Sequence, residues 1–266
     1  MKYFLLLLFV SNSLFISGCI FDKEEKREAI SMGLSPKGMF ELAQKNVDGG
    51  TIDEAIKIFE RIQAAYPSSK YALQSELEII YNLYKRDRYD EGIDRINDFL
   101  KKYPNHFVTP YAYYLRGVIA ENKSKSILDL FITDNAQRDV SSVKDAFNYY
   151  LDLIRTFPKS QYSEEAKDRL ITLRNILARH ELFVAIFYTN SSAHVASINR
   201  CKYIIEKYPN TPSVPAALHL IAHNYDKINA KKLAEDARRV LEESYPKYTP
   251  HYSLEDWCLK LSASSL

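Results

Sequence analysis

Paired helical stretches recur along this chain. Residues 36–67, PKGMFELAQKNVDGGTIDEAIKIFERIQAAYP, form the clearest unit. Small residues stand at Ala43 and Ala55, where two helices must touch, Phe59 packs beside them, and Tyr66-Pro67 closes the second helix. The closing aromatic–proline pair returns as Tyr103-Pro104, Phe157-Pro158, Tyr208-Pro209 and Tyr245-Pro246. The first and last intervals between prolines are 37 residues and the middle two are 54 and 51, so the middle of the chain carries extra sequence.

Counting back from each proline, the close-contact position of the second helix falls on Ala55, Gly92, Ala146, Ser197 and Ala234. The matching position of the first helix falls on Ala43, Ile80, Gly117, Ala185 and Ala222, where only Ile80 is large. With a spacing near the ~34 residues of the ideal unit, this is the tetratricopeptide pattern. It predicts an all-α superhelix of five helix–turn–helix units, at residues 36–67, 73–104, 110–158, 178–209 and 215–246, together a domain over 36–246. The Trp that commonly marks each unit's start is missing. Only 7 glycines, and no long Val/Ile alternation, argue against a sheet-rich fold.

The loops read as punctuation: proline stops one helix and Ser, Thr or Asn caps the next. Residues 124–140 interrupt the third unit, either as a segment folded back over the helix ends or as a partner contact. Residues 162–188 keep apolar positions at helical spacing from Ala166 to Ile186, which predicts one long helix bridging units three and four, with Ser163 as its cap. The C-terminal half has a basic skin at Arg200, Lys202, Lys207, Lys231, Lys232, Arg238 and Arg239. A C-terminal tail, 247–266, carries Leu254, Trp257, Leu259 and Leu261, and is a candidate cover for the apolar edge of the last unit.

Stacked helix pairs present an extended concave surface. First-helix positions facing it are Lys37, Phe40 and Gln44, then Gln74, Leu77, Tyr81, Tyr84 and Lys85, then Tyr111, Tyr114, Val118 and Glu121. Phe40, Leu77, Tyr81, Tyr84, Tyr111 and Tyr114 would line a groove suited to an aromatic-rich peptide, although each ring alone could equally be packing on a neighbouring helix.

The start, MKYFLLLLFVSNSLFISGCIF, has one early positive residue, an apolar run and then Ile16-Ser17-Gly18-Cys19. It reads as a signal peptide, 1–18, ending in a bacterial lipobox, with Cys19 acquiring diacylglycerol and an N-acyl chain. Such chains, at ~0.8 kcal/mol per buried CH₂, hold a domain on a bilayer. By likeness to bacterial lipoproteins, Ile20 in place of Asp points to the outer membrane. Polar residues 19–35 would be a flexible lipidated tether.

A net charge of +2 gives no reason to expect nucleic acid. His219 and His223 are four apart, but no Glu follows the first and no third ligand is placed, so no metal is expected and they are read as groove-wall residues. Cys201 and Cys258 would be free to pair in an oxidising compartment if the fold brings them together. No phosphate-binding glycine loop and no nucleophile–base motif is present, so the chain is not expected to be an enzyme.

The lipobox, the five units and the runs YYLRG (113–117), QRD (137–139), FPKSQY (157–162), ARHELFVAIFY (178–188) and Asn199-Arg200 together resemble the BamD (ComL) family of outer-membrane assembly lipoproteins. The resemblance covers roughly residues 36–246. It implies a lipid-anchored protein on the periplasmic face of the outer membrane, working with BamA and the other lipoproteins of the β-barrel assembly machinery. The C-terminal units would dock a POTRA domain of BamA and the N-terminal groove would receive unfolded barrel precursors. It further implies a BamA contact at Arg200 and Asn199, and at Arg138 and Asp139 of the insertion. A periplasmic scaffold for cell-wall enzymes would share the fold and the anchor.

Overall fold

The computed structural model describes residues 33–125, 136 and 139–250. Among them ten helices follow in order: α1 Pro36–Asp48, α2 Ile52–Ala65, α3 Lys70–Lys85, α4 Tyr89–Lys102, α5 Thr109–Lys123, α6 Ser141–Thr156, α7 Gln161–Asn190, α8 His194–Lys207, α9 Ser213–Lys227 and α10 Lys231–Ser244. No strand occurs among the described residues. The fold is the all-α tetratricopeptide type. Two compact units divide it after Pro104.

Each turn inside a helix pair has the same backbone solution. Gly50, Asp87, Ser192 and Asn229 adopt φ of +80°, +58°, +58° and +64°. The next residue's N–H reaches back five positions, from Thr51 to the Asn46 carbonyl, Arg88 to Leu83, Ala193 to Tyr188 and Ala230 to Tyr225, at 2.8–3.0 Å. This left-handed cap satisfies carbonyls that a helix end otherwise leaves unpaired. The α5–α6 pair has the insertion at this place instead.

The helix ends before the prolines are equally uniform. Tyr66, Tyr103, Phe157, Tyr208 and Tyr245 all lie near φ −130° and ψ 50–60°. Proline after each of them disfavours the α region and stops the helix. Side-chain caps then start α1, α3 and α7, where Ser35, Ser69 and Ser160 accept from Gly38, Tyr71 and Tyr162 N–H. The cap of α7 is therefore Ser160, not Ser163. Ser163 lies a turn inside, wholly buried, and donates to the Phe157 carbonyl at 2.7 Å. The long helix itself spans 30 residues and packs on α5, α6, α8 and α9.

The small positions sit where the helices meet. Ala43, Ala55, Ala146, Ala185, Ser197 and Ala234 are fully buried. Gly117 shows why: a Cβ there would lie 2.4–2.7 Å from the ring of Tyr150. Ile80, the large exception, is also fully buried, and its pair carries the smallest residue, Gly92, in the partner helix.

Candidate binding surfaces

The expected groove residues fall into two groups, one in each unit. On α1, Phe40 is not on an open wall. Its ring is 8% exposed, 5.4 Å from Phe59 and 5.5 Å from Tyr71, inside a core with Met39, Ala43 and Ile62. The apolar stripe of α1 is wide enough that its edge is covered by α3. On α3, Leu77 is half-buried, whereas Tyr81 is 43% exposed, 6.3 Å from Tyr84, with the Lys85 ammonium 5.8 Å from its ring. Tyr84 also meets Tyr89 at 6.4 Å. Lys37, Gln44, Gln74 and Lys85 are exposed. The N-terminal unit thus offers two aromatic rings among long polar side chains, a surface that can stack on another ring without demanding one sequence.

In the second unit, Tyr111 and Tyr114 are half-buried and both lie on Tyr162, at 5.5 and 5.4 Å. The Arg169 guanidinium covers Tyr114 at 5.6 Å and bonds Glu121 at 2.8 Å. Glu121 also accepts from Tyr150 Oη at 3.2 Å and from Lys125 at 3.1 Å. Burial alone would push the Glu121 carboxyl up, but the bonds and charges of Arg169 and Lys125 outweigh it and hold it below the usual carboxylate range. These rings therefore belong to the junction of α5, α6 and α7 as much as to a wall. Tyr162 and Arg169 were not expected there. Their only signal in the sequence is a spacing of seven on one helix, too common to single them out.

On α8, Arg200 is 45% exposed and its Nη1 lies 3.0 Å from Oε2 of Glu181 on α7, a carboxylate only 7% exposed. Asn199 beside it is exposed. Val195, Asn199 and Tyr203, at steps of four, make an exposed stripe, with Val195 60% and Tyr203 39% exposed. Phe187 near the end of α7 is 63% exposed. The stripe went unread in the sequence because its two hydrophobes look like core positions until the neighbouring helices are placed.

Asp139 is exposed and accepts from the Ser141 N–H at 3.0 Å and hydroxyl at 2.7 Å, which holds its carboxyl below the ordinary range. It acts locally at the start of α6. Arg138, Cys19 and Cys258 lie outside the described residues. Of the insertion, Ala136 is fully buried and its carbonyl sits 2.8 Å from Nδ1 of His180 on α7. Cys201 is fully buried, and burial pushes its thiol up to about 12. His219 and His223 are half-buried, with the His219 ring 6.4 Å from Tyr248. Among the described residues no three side chains of metal-ligating type converge.

Residues 32–241 match the family model described as outer membrane lipoprotein, YfiO. The outer membrane protein assembly factor BamD of Neisseria gonorrhoeae is 33% identical over 244 residues, 91% of each chain. The chain belongs to the BamD family. BamD of Xylella fastidiosa Temecula1 is 30% identical over 91% of this chain and 82% of its own, and BamD of Pasteurella multocida 33% identical over 77% and 79%. This BamD-family chain thus pairs an aromatic patch on α3 with a mixed apolar and cationic stripe on α8.

Proposed function

We propose that this protein is a non-enzymatic lipoprotein of the β-barrel assembly machinery, anchored through Cys19 on the periplasmic face of the outer membrane. Its C-terminal unit binds a POTRA domain of BamA, and its N-terminal unit receives unfolded barrel precursors. The reading is carried by membership of the family over residues 32–241, a span that includes both surfaces.

The α8 stripe has the makeup of a docking patch for a folded partner. Val195 and Tyr203 supply apolar area, and Arg200 supplies charge-assisted hydrogen bonds to a carboxylate. A guanidinium carries five donors, so the Glu181 bond does not exhaust it. Glu181 fixes where the fork stands before a partner arrives, which lowers the ordering cost of binding. On α3, Tyr81 and Tyr84 take the alternating aromatic side chains of an extended precursor by stacking, while the backbone of that precursor remains unread. Such recognition suits clients that share a composition and differ in sequence.

The test is capture of BamA from detergent-solubilised outer membranes by the tagged full chain. Removing Arg200 strands the buried Glu181, so the comparison is between Glu181→Gln and Glu181→Gln with Arg200→Ala. Loss of an interface hot spot of about 2 kcal/mol weakens capture roughly thirtyfold. Equal capture by the two variants removes Arg200 from the interface.

A further inference from the structure

We propose that the chain closes its own last helix pair, residues 254–261 packing as a short helix into the cleft that α9, α10 and the following turn leave open. The cleft has a volume of about 330 Å³ and is lined by His219, Leu241, Glu242, Tyr245, Pro246, Tyr248 and Pro250. Register shows that it is an unfinished interface. Five residues before each closing proline stand Ile62, Phe99, Leu153 and Ile204, at 0–2% exposure. The equivalent residue of the last pair is Leu241, and it is only half-buried.

The outer face of α10 departs from α2, α4 and α6 in the same direction. Leu233 is 48% and Val240 43% exposed. The matching places in α2, α4 and α6 hold Glu54, Glu91 and Asp145 for the first, and Arg61, Asp98 and Asp152 for the second, while α8 holds Ala196 and Tyr203. Leu233, Ala237, Val240 and Leu241 follow one helical stripe, so α10 carries an apolar strip where α2, α4 and α6 carry charged side chains.

The occupant follows from what the chain supplies next. Sixteen residues come after Pro250, which itself lines the cleft, so no linker has to be spanned. Among them Leu254, Trp257, Cys258 and Leu261 stand at i, i+3, i+4 and i+7, one face of a helix, and Ser253 with Asp256 makes a capping signal before it. Eight residues give a helix of ~12 Å, enough to cover the C-terminal half of α10. A segment tethered this closely acts at a millimolar effective concentration, above that of a separate partner.

Trp257 is the chain's only tryptophan, so its fluorescence reads the proposal directly. In the full-length protein in detergent, the emission is expected to be blue-shifted and acrylamide quenching several-fold weaker than after denaturation. Leu241→Glu, in the cleft, and Leu254→Glu, in the tail, should each return it to the water-exposed values while far-UV helicity stays native. An exposed indole in the unaltered chain overturns the proposal. So does protection that Leu241→Glu leaves unchanged, which places the indole elsewhere. Protection that fades on dilution assigns the cleft to a second copy and overturns it too.

Discussion

Asn82 and Asn224 occupy the same place in their helix pairs, 22 residues before the closing Pro104 and Pro246, and both are buried, at 2% and 0% exposure. Each donates to the carbonyl four residues back, Glu78 and Leu220, at 2.8 Å. There the likeness ends. Asn224 also donates to Thr189 Oγ1 at 2.8 Å and Ser197 Oγ at 3.1 Å, and its Oδ1 meets His194 Nδ1 at 2.8 Å. Thr189 and Ser197 bond each other at 2.8 Å, and Thr189 reaches the Ala185 carbonyl at 3.1 Å. One amide thus ties α7, α8 and α9 together, whereas the other serves its own helix.

The difference runs through the two units. In the N-terminal unit the ion pairs lie at the surface or half-buried, as in Arg88 with Asp53 and Arg95 with Glu60 and Glu76. Its core is hydrophobic, and apolar packing is non-directional. In the C-terminal unit, buried polar groups such as Glu181, Thr189, Ser197 and Asn224 are satisfied only in one arrangement of helices. A satisfied buried network specifies a unique packing, and a partly satisfied one is costly. A surface for a folded partner gains from such fixed geometry, and a surface for varied unfolded clients does not need it.

Asn224→Ala therefore carries the largest expected effect. It leaves Thr189, Ser197 and His194 short of partners and should lower stability by about 3 kcal/mol, against about 1 for Asn82→Ala. Urea unfolding of the two variants measures the ratio, and equal losses would break the comparison. Gly117→Ala forces a methyl into the Tyr150 ring and should cost about 1–3 kcal/mol by overpacking, which thermal melts would register. The matched turns come next. Gly50→Ala should cost about 1 kcal/mol, because a Cβ is disfavoured at φ +80°, and Ser192→Gly should gain up to about 1 kcal/mol at φ +58°.

The smallest effect is a pH dependence confined to one unit. All 6 histidines lie beyond residue 104. Burial, helped by Arg238 for His219 and by Lys227 for His223, holds both below the ordinary imidazole value. The unfolded chain then binds more protons, so this contribution is complete above the unfolded value near ~6.5 and is lost as pH falls toward the depressed folded values. Urea midpoints should drop between pH 7 and 5.5, and His219→Gln with His223→Gln should flatten the drop.

The parts of this fold legible from sequence are those written locally. An aromatic followed by proline, or a small residue at a fixed distance before it, needs only its own neighbours, and all five such landmarks took one backbone form. The long helix was readable from period alone, since Gln161–Asn190 extends the apolar pattern only slightly. Its cap was not, because a serine four residues into FPKSQYS and one three later look alike until the loop is folded. The sequence puts Phe40 on a wall because a helical period cannot tell which flank of an apolar stripe the next helix will cover. The pairs that distinguish the two units, Glu181 with Arg200 and Asn224 with Thr189, are 19 and 35 residues apart. No local pattern announces them.

On the proposed function the labour is divided: the α8 surface would hold a folded partner while the α3 aromatics would hold an unfolded client. One paired measurement tests it, recording BamA capture and photocrosslinking to a barrel-precursor peptide for the same two full-length variants. Arg200→Ala in the Glu181→Gln background should lose capture and keep the crosslink. Tyr81→Ala with Tyr84→Ala should keep capture and lose the crosslink. If either variant, with native helicity, loses both activities together or neither, the two surfaces do not act separately and the account is contradicted.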